Sequence, residues 1–390
     1  MAPIEKNWTS LQNMDTENDH VKKIQTVLET ANFTHLCSEA TKIRQREDSL
    51  DIPTCSVNTE KFTSGTYNLV VALTFSDSTQ WVARIMLPQD DDDEYIAKSL
   101  LSEIASMDFI RSKTTIPVPR IFGHNVSNND FGFPYLLMEA LPGTVLENRW
   151  ALSIPDSHKK KFATQLAHYV YELSTLRFNK IGCLSYSHES AELEVSPFQI
   201  SGTWIKPLST SLEYFYLFRK GQTREIREEH KGEADWEAAA WFLEKSTTSM
   251  VTEEHLYGPF PLCHLDFHYN NMLVDEDFNI TAILDWSNVQ TVPMERFAVT
   301  PEFIAPPAAP LEYKQAVFEF RIERENGDLS SDTGMPLSRL FASPLSEVVF
   351  RSTCSPARRA IFDARLTLPL TYGRDAKWED FKKFFNERLA

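Results

Sequence analysis

Pro261-Leu262-Cys263-His264-Leu265-Asp266-Phe267-His268-Tyr269-Asn270-Asn271-Met272-Leu273-Val274 is the stretch that decides the fold, together with Ile283-Leu284-Asp285-Trp286 just after it. Its polar residues are gathered in a short loop between two apolar runs, and a second acid closes the apolar run 280–284. Such a pattern predicts strand, loop and strand. Acids and an amide presented between buried runs form an active-site arrangement.

The spacing His264-x-Asp266-x4-Asn271 is that of a kinase catalytic loop, in which an Asp takes or orients the acceptor hydroxyl's proton and an Asn holds magnesium. Asp285 stands where kinases keep the second metal ligand. Phosphoryl transfer asks for these residue types because its transition state leaves a protein mainly positioning and charge neutralisation to do. Carboxylate and amide oxygens suit Mg²⁺, whereas sulfur does not. Two other readings stay open on these residues alone. Asp266 and Asn271 could cap turns, or Cys263, His264 and His268 could bind zinc, although the loop offers them no clear tetrahedral set.

At these residues the sequence resembles the aminoglycoside-phosphotransferase-like family of small-molecule kinases, in particular its fungal branch. The resemblance runs on through Asp285-Trp286-Ser287-Asn288-Val289-Gln290-Thr291-Val292-Pro293 and back over residues 55–300. It implies an α+β, bilobal protein-kinase-like fold, with a small β-rich amino-terminal lobe and a larger, mainly helical carboxy-terminal lobe. It also implies ATP, Mg²⁺ and transfer of the γ-phosphate to a hydroxyl. Ser287 departs from the family, which often has an acid after the Asp-Trp pair. The division expected is a helical extension at 1–54, a kinase-like lobe at 55–141, and a lobe at 142–390 holding the catalytic loop and acceptor-site helices.

Working outward, residues 56–62, 67–75 and 80–86 are β-prone runs, the last two joined by Ser76-Asp77-Ser78-Thr79. The first turn, Thr63-Ser64-Gly65-Thr66-Tyr67-Asn68, would place Ser64 and Gly65 over the nucleotide phosphates, although a single glycine also fits an ordinary hairpin. Trp81-Val82-Ala83-Arg84-Ile85 looks like the kinase strand whose lysine grips the α/β-phosphates. Here the position is Arg84, permanently charged and able to grip phosphate in a fork, but larger than lysine. Residues 95–111 predict a helix with an apolar stripe of Ala97, Leu100, Leu101, Ile104, Ala105 and Phe109. Glu103 on that helix is the candidate partner of Arg84. The acidic run 90–93 reads as a solvated loop. Strands follow at 118–122 and 135–138, and Met138-Glu139-Ala140-Leu141-Pro142-Gly143 resembles the family's hinge. There, backbone groups of Glu139 to Leu141 would meet adenine.

Upstream, residues 15–32 have helical spacing with Asp19 as a candidate cap, and 42–51 reads as a charged connector. Downstream, helices are expected at 157–176, 212–218 and 234–245, and a hairpin or loop at 181–195. After a proline-rich stretch at 301–310, helical segments are expected at 311–325, 337–354, 356–366 and 377–388. Trp204, Tyr214, Phe215, Trp241, Phe297, Phe303 and Trp378 are candidates for an acceptor pocket or for core.

Composition narrows the partners. With 42% hydrophobic and 24% charged residues the chain reads as globular. A net charge of −16 argues against nucleic acid and against an anionic membrane. It would suit a cationic amine, or serve solubility alone. The start, Met1 to Trp8, lacks the apolar core of a signal peptide, and no run approaches a membrane span, so a cytosolic protein is expected. Five scattered cysteines without a Cys-x-x-Cys pair predict reduced thiols, with Cys263 a small buried apolar residue.

The expected function is an ATP- and Mg²⁺-dependent phosphotransferase acting on a hydroxylated small molecule. Asp266 is the base or orienter, Asn271 and Asp285 the magnesium ligands, Arg84 the phosphate clamp, Glu103 its positioner and His264 a brace. A protein kinase fits less well, because only about fifteen residues separate Asp285 from Thr300-Pro301-Glu302. The alternative keeps the scaffold without phosphoryl transfer, as a nucleotide-binding or interaction module or an enzyme using the cleft otherwise. The glycine-poor loop and Arg84 motivate it.

Overall fold

The computed structural model describes residues 8–47, 53–89, 93–127, 129–146, 154–187, 189–299, 340–341 and 343–388. By its contacts the chain forms two compact units. One joins Met1–Asn148 with Asn270–Ser287, and the other joins Arg149–Tyr269 with Asn288–Ala390.

The first unit is built on a five-stranded antiparallel sheet of β1 (Cys55–Ser64), β2 (Asn68–Phe75), β3 (Gln80–Met86), β4 (Ile121–Asn125) and β5 (Tyr135–Glu139), in the order β1-β2-β3-β5-β4. Strand side chains alternate between faces. The cross-strand pairs Leu69 with Ile85, Val71 with Ala83 and Leu73 with Trp81 therefore share one face. That face is closed by Ile24 and Val27 of α1 (Asp19–Thr30) and Leu36 and Ala40 of α2 (Phe33–Glu47), all fully buried. Arg84, paired with Val70 and Leu136, falls on the opposite face, where α3 (Asp93–Lys113) lies.

Several local expectations are corrected. The cap of α1 is Asn18, whose side chain accepts from the His20 amide, and Asp19 sits in the first turn. Helix α2 runs through 42–47, so that part of the expected connector is helical, while 48–51 lie outside the described residues. On α3 the expected stripe is buried at Leu100, Ile104 and Ala105 and half-buried at Ala97 and Phe109, and only Leu101 departs, being exposed. The buried face also takes in Glu103, Ser106, Met107 and Ile110, which brings Glu103 to Arg84. β4 begins at Ile121, three residues later than expected, since the two prolines at 117 and 119 lack the N–H a ladder needs. Of the acidic run, 90–92 lie outside the described residues.

The strands Met272–Val274 and Ile280–Ile283 pair with each other and, through the first, with Thr144–Val145. Gly143 is required there. Its φ is +124°, and a Cβ would come within 2.5 Å of Thr281 Oγ1 and 2.9 Å of the Val274 carbonyl.

The second unit is mainly helical. Helix α4 (Asp156–Thr175), expected at 157–176, buries Phe162, Leu166, Val170 and Leu173 at helical spacing. The strands Cys183–Tyr186 and Leu193–Ser196 form the expected hairpin, and a further hairpin pairs Phe198–Ile200 with Thr203–Ile205. Helix α5 (Ser211–Glu229) opens with a capping box of Thr210 and Glu213 and runs well past the expected 218. Helix α6 (Ala234–Lys245) presents Ala238, Ala239 and Ala240 to a core shared with Ala360, Ala364 and Leu368, where small side chains permit close packing. A short helix α7 (Met294–Phe297) follows the strand Val289–Thr291, and α8 (Pro344–Val349) continues into a π turn at Phe350–Cys354. Helices α9 (Ala360–Tyr372) and α10 (Trp378–Arg388) complete the unit. The segments 301–310, 311–325 and 337–339 and Phe303 lie outside the described residues. Tyr214, Phe215, Phe297 and Trp378 are core, Trp204 is exposed and Trp241 half-buried.

Candidate active site

In the second unit the strand Phe260–His264 is buried along its whole length. It pairs with Val289–Thr291 on one side and Arg177–Phe178 on the other. The Leu265 amide donates to the Asn288 carbonyl at 3.3 Å, which fixes the chain just before Asp266. Asp266 itself is 45% exposed, and its Oδ2 lies 3.4 Å from His268 Nε2. The His268 amide also donates to the Asp266 carbonyl at 3.1 Å. Asp266 is thus an acid partly open to solvent at the end of a buried strand. His264 is buried, its ring packed 5.3 Å from that of Phe267.

In the first unit Asn271 and Asp285 are held close together. Asn271 is buried, and its carbonyl accepts from the Leu284 amide at 2.8 Å, so the backbone before Asp285 is tied to the residue that begins the Met272 strand. The Ile283 amide donates to the Pro117 carbonyl at 2.9 Å, and Trp286 Nε1 donates to the Ile283 carbonyl at 2.8 Å, burying the indole behind the site. Asp285 adopts a left-handed conformation with φ 56°. A non-glycine residue in that region is strained, and such strain gathers at functional sites. Ser287 Oγ donates to Asp285 Oδ1 at 2.7 Å. The hydroxyl thus engages one carboxylate oxygen and leaves the other the freer of the two.

Arg84 and Glu103 form a buried fork-to-fork pair, with Nη1 donating to Oε1 at 2.6 Å and Nη2 to Oε2. Burial works to lower the Arg84 pKa. The Glu103 carboxylate, and after it that of Asp285, outweighs burial, so the guanidinium is held even more firmly charged than usual. Arg84 is therefore within electrostatic reach of both acids. Glu103 engages one edge of the guanidinium, leaving further N–H groups, including a buried Nε–H, for another acceptor.

Ser64 ends β1 and Gly65 follows it, the Gly65 amide donating to the Asn68 carbonyl at 3.0 Å. A Cβ at Gly65 would meet nothing within 4 Å, so the space over this turn is open. Glu139 ends β5. Its amide donates to the Arg120 carbonyl at 2.8 Å, and its carboxylate accepts from the Arg120 amide and from Arg111. Leu141 lies just beyond the end of this strand. Arg111 and Ser287 are the polar partners that sequence reasoning missed. Arg111 is eight residues beyond Glu103 on the same helix, and nothing in its spacing advertises a partner on β5.

The donors at Asn271 and Asp285 are hard oxygens and fit Mg²⁺, with phosphate oxygens and water able to complete an octahedron. Among the described residues no group of three or more His, Cys, Asp or Glu side chains is arranged to hold a metal. Cys263, His264 and His268 therefore do not form the zinc set considered as an alternative. Among the same residues no helix is long and apolar enough to cross a membrane.

Comparison with known proteins agrees with this geometry. The sequence model described as "Phosphotransferase enzyme family" matches residues 58–296. A curated relative, "Altered inheritance of mitochondria protein 9, mitochondrial" of Candida albicans strain SC5314, is 31% identical over 134 residues, 33% of this chain and 21% of its own. A "Subtelomeric hrmA-associated cluster protein" of Aspergillus fumigatus strain Af293 is 32% identical over 130 residues, 33% of this chain and 25% of its own. The matches thus span a fifth to a quarter of these relatives' length. A crystal structure of a candidate aminoglycoside phosphotransferase from Ralstonia eutropha JMP134 superposes with a TM-score of 0.56, over 87% of this chain and 99% of that one, at 15% identity. A likeness at that identity speaks for the fold alone.

Proposed function

The chain belongs to the phosphotransferase enzyme family, and from that premise we propose that it moves the γ-phosphate of ATP, with Mg²⁺, to a hydroxyl of a small molecule. The observation that carries the reading is the Arg84–Glu103 fork with Asp285 in electrostatic reach of the same guanidinium. A structural ion pair has no need of a second, partly buried acid on a strained backbone beside it.

In this reading Asn271 and Asp285 hold the metal, which when bound neutralises phosphate charge. Glu103 fixes the Arg84 fork so that its remaining N–H groups face phosphate oxygens, a preorganisation that costs nothing at the moment of reaction. Ser64 and Gly65 cover the phosphates, and Glu139 and Leu141 contact adenine through the backbone. Asp266 orients the acceptor hydroxyl and takes its proton at a carboxylate oxygen, with His268 beside that carboxylate limiting its rotation. The acceptor proposed is a hydroxylated amine or secondary metabolite, supported by the net charge of −16. The setting proposed is the cytosol, supported by five scattered cysteines with no Cys-x-x-Cys pair. Because some relatives carry a mitochondrial name, cell fractionation tests that point.

Calorimetry of ATP binding with and without Mg²⁺, on wild type and on Asp285→Ala, tests the function. Metal-dependent binding that disappears in the variant is the expected result. Absence of nucleotide binding in every condition would overturn the reading in favour of a scaffold put to another use.

A further inference from the structure

Within the mainly helical unit, α9 opens directly from a 3-10 turn at Ala357–Arg359. Beside that opening lies an open cleft of about 460 Å³, lined by Trp236, Arg358, Arg359, Ile361, Phe362 and Arg365. None of these residues belongs to the candidate active site. The volume is in the range of small-molecule sites.

The lining holds three guanidiniums and no carboxylate, in a chain whose net charge is −16. Arg358 is exposed and has no ion pair among the described residues. Among the described residues Arg365 pairs with Glu379 alone, at 3.9 Å, with both side chains largely in solvent. Arg359 feels Asp363 electrostatically, but that carboxylate is buried and hydrogen-bonded to Arg351 at 3.1 Å and to Ser355. The positive charge at the cleft is therefore poorly neutralised.

Its placement also opposes the helix. The amino-terminal end of a helix carries partial positive charge and favours anions. Yet the N-cap of the 13-residue α9 is Arg359, which makes no side-chain capping bond, and Arg358 precedes it. Cations put where they disfavour the free helix become favourable once an anion binds between them and the first turn. The walls supply the other half of a recognition site. Phe362 is 51% exposed, with the Arg359 guanidinium 5.1 Å from its ring centroid. Trp236 is held in place by the His230 ring stacked on it at 3.6 Å. An exposed aromatic ring and a braced indole beside arginines suit a flat apolar body.

We propose that this cleft binds a small organic oxyanion, its charged group engaged by Arg358 and Arg359 at the opening of α9 and its planar body lying against Phe362 and Trp236. Arg365, which also lines the cleft, adds a third positive charge. A phosphate or a carboxylate could supply the same chemistry, and the probes distinguish them.

The test is calorimetric titration of the full chain with 1-naphthyl phosphate, 1-naphthoate, inorganic phosphate and 1-naphthol. At least one naphthyl anion is expected to bind about tenfold or more tighter than either inorganic phosphate or naphthol, and more weakly as salt is raised. The tighter of the two anions names the class. Arg358→Gln combined with Arg365→Gln is expected to weaken that anion about tenfold while leaving Mg²⁺-ATP binding unchanged. In unliganded Arg358→Gln the melting temperature should hold or rise, where a merely structural arginine would lower it. Should the double variant misfold by circular dichroism, Arg358→Lys, which keeps the charge and loses the fork, is expected to give a smaller loss. Naphthyl anions no tighter than naphthol, Arg-to-Gln variants that bind like wild type, or displacement of the anion by Mg²⁺-ATP would each overturn the site.

Discussion

Arg84 and Glu103 meet as parallel forks with both side chains buried, Arg84 at 9% exposure and Glu103 at 1%. Removing one member of such a pair leaves the other charge buried and unpaired, a loss of about 3–5 kcal/mol. Replacing both by apolar residues of similar volume is often near neutral. Glu103→Ala should therefore lower stability to urea by about 3–5 kcal/mol, while Arg84→Met with Glu103→Leu should regain most of it. If the pair serves phosphate, the stable double variant should still bind ATP poorly and adenosine nearly as well as wild type. Equal loss of both ligands would reduce the pair to a structural role.

Asp285 offers a separation of strain from chemistry. Its φ of 56° suits glycine better than a side chain, and holding a non-glycine residue there costs on the order of 1 kcal/mol. Asp285→Gly should match or exceed wild-type stability by up to about 1 kcal/mol, whereas Asp285→Val should melt lower. Both should lose the Mg²⁺ dependence of nucleotide binding. A glycine variant with an unchanged Mg²⁺ titration would show that the strained backbone, not the carboxylate, is what matters at this position.

The loop from Asp266 to Asp285 was legible in the sequence because spacing and alternating apolar runs are one-dimensional signals. So was the Arg84–Glu103 pairing, through the resemblance to the kinase strand and helix that carry such a pair. What the sequence did not carry was the burial of polar groups. The apolar stripe of α3 is buried or half-buried except at Leu101, yet Glu103 and Ser106 are buried beside it. Helix α2 was masked by the charges of Lys42, Arg44 and Arg46, although Leu36 and Ala40 on its inner face are fully buried. Arg44 reaches Asp77 at 2.6 Å and lies 4.9 Å from the Phe75 ring, so a residue that reads as linker charge is a tether to the sheet. The open ground over Gly65 depends on turn geometry that a single glycine in sequence leaves undetermined.

Ser287 stands where the family often has an acid, and its hydroxyl holds Asp285 Oδ1 at 2.7 Å. Groups that orient a metal ligand commonly change affinity by about tenfold when removed. Ser287→Ala should move the midpoint of the Mg²⁺ titration, read by nucleotide binding, upward by about that factor without changing thermal stability measurably. Ser287→Asp, which adds a second hard donor and more negative charge, should move it the other way. No shift in either variant would leave the hydroxyl as a turn residue only.

Asp266 sits on a stem that does not depend on its side chain. The strand Phe260–His264 is buried on both flanks, and the Leu265 amide is tied to Asn288 by backbone alone. Asp266→Ala should therefore fold and melt like wild type and bind Mg²⁺-ATP with nearly unchanged affinity. Its transfer rate to any accepted hydroxyl should drop by about 10²- to 10⁴-fold, the range a positioned general base supplies. Asp266→Asn keeps the size and the neighbourhood of His268 but cannot take a proton, so it should lose nearly as much. A steady-state assay of ADP release with acceptor present decides between roles. Full activity in the asparagine variant would mean that orientation alone suffices and that Asp266 is not the base, whereas loss of nucleotide binding in both variants would move the residue from acceptor chemistry to structure.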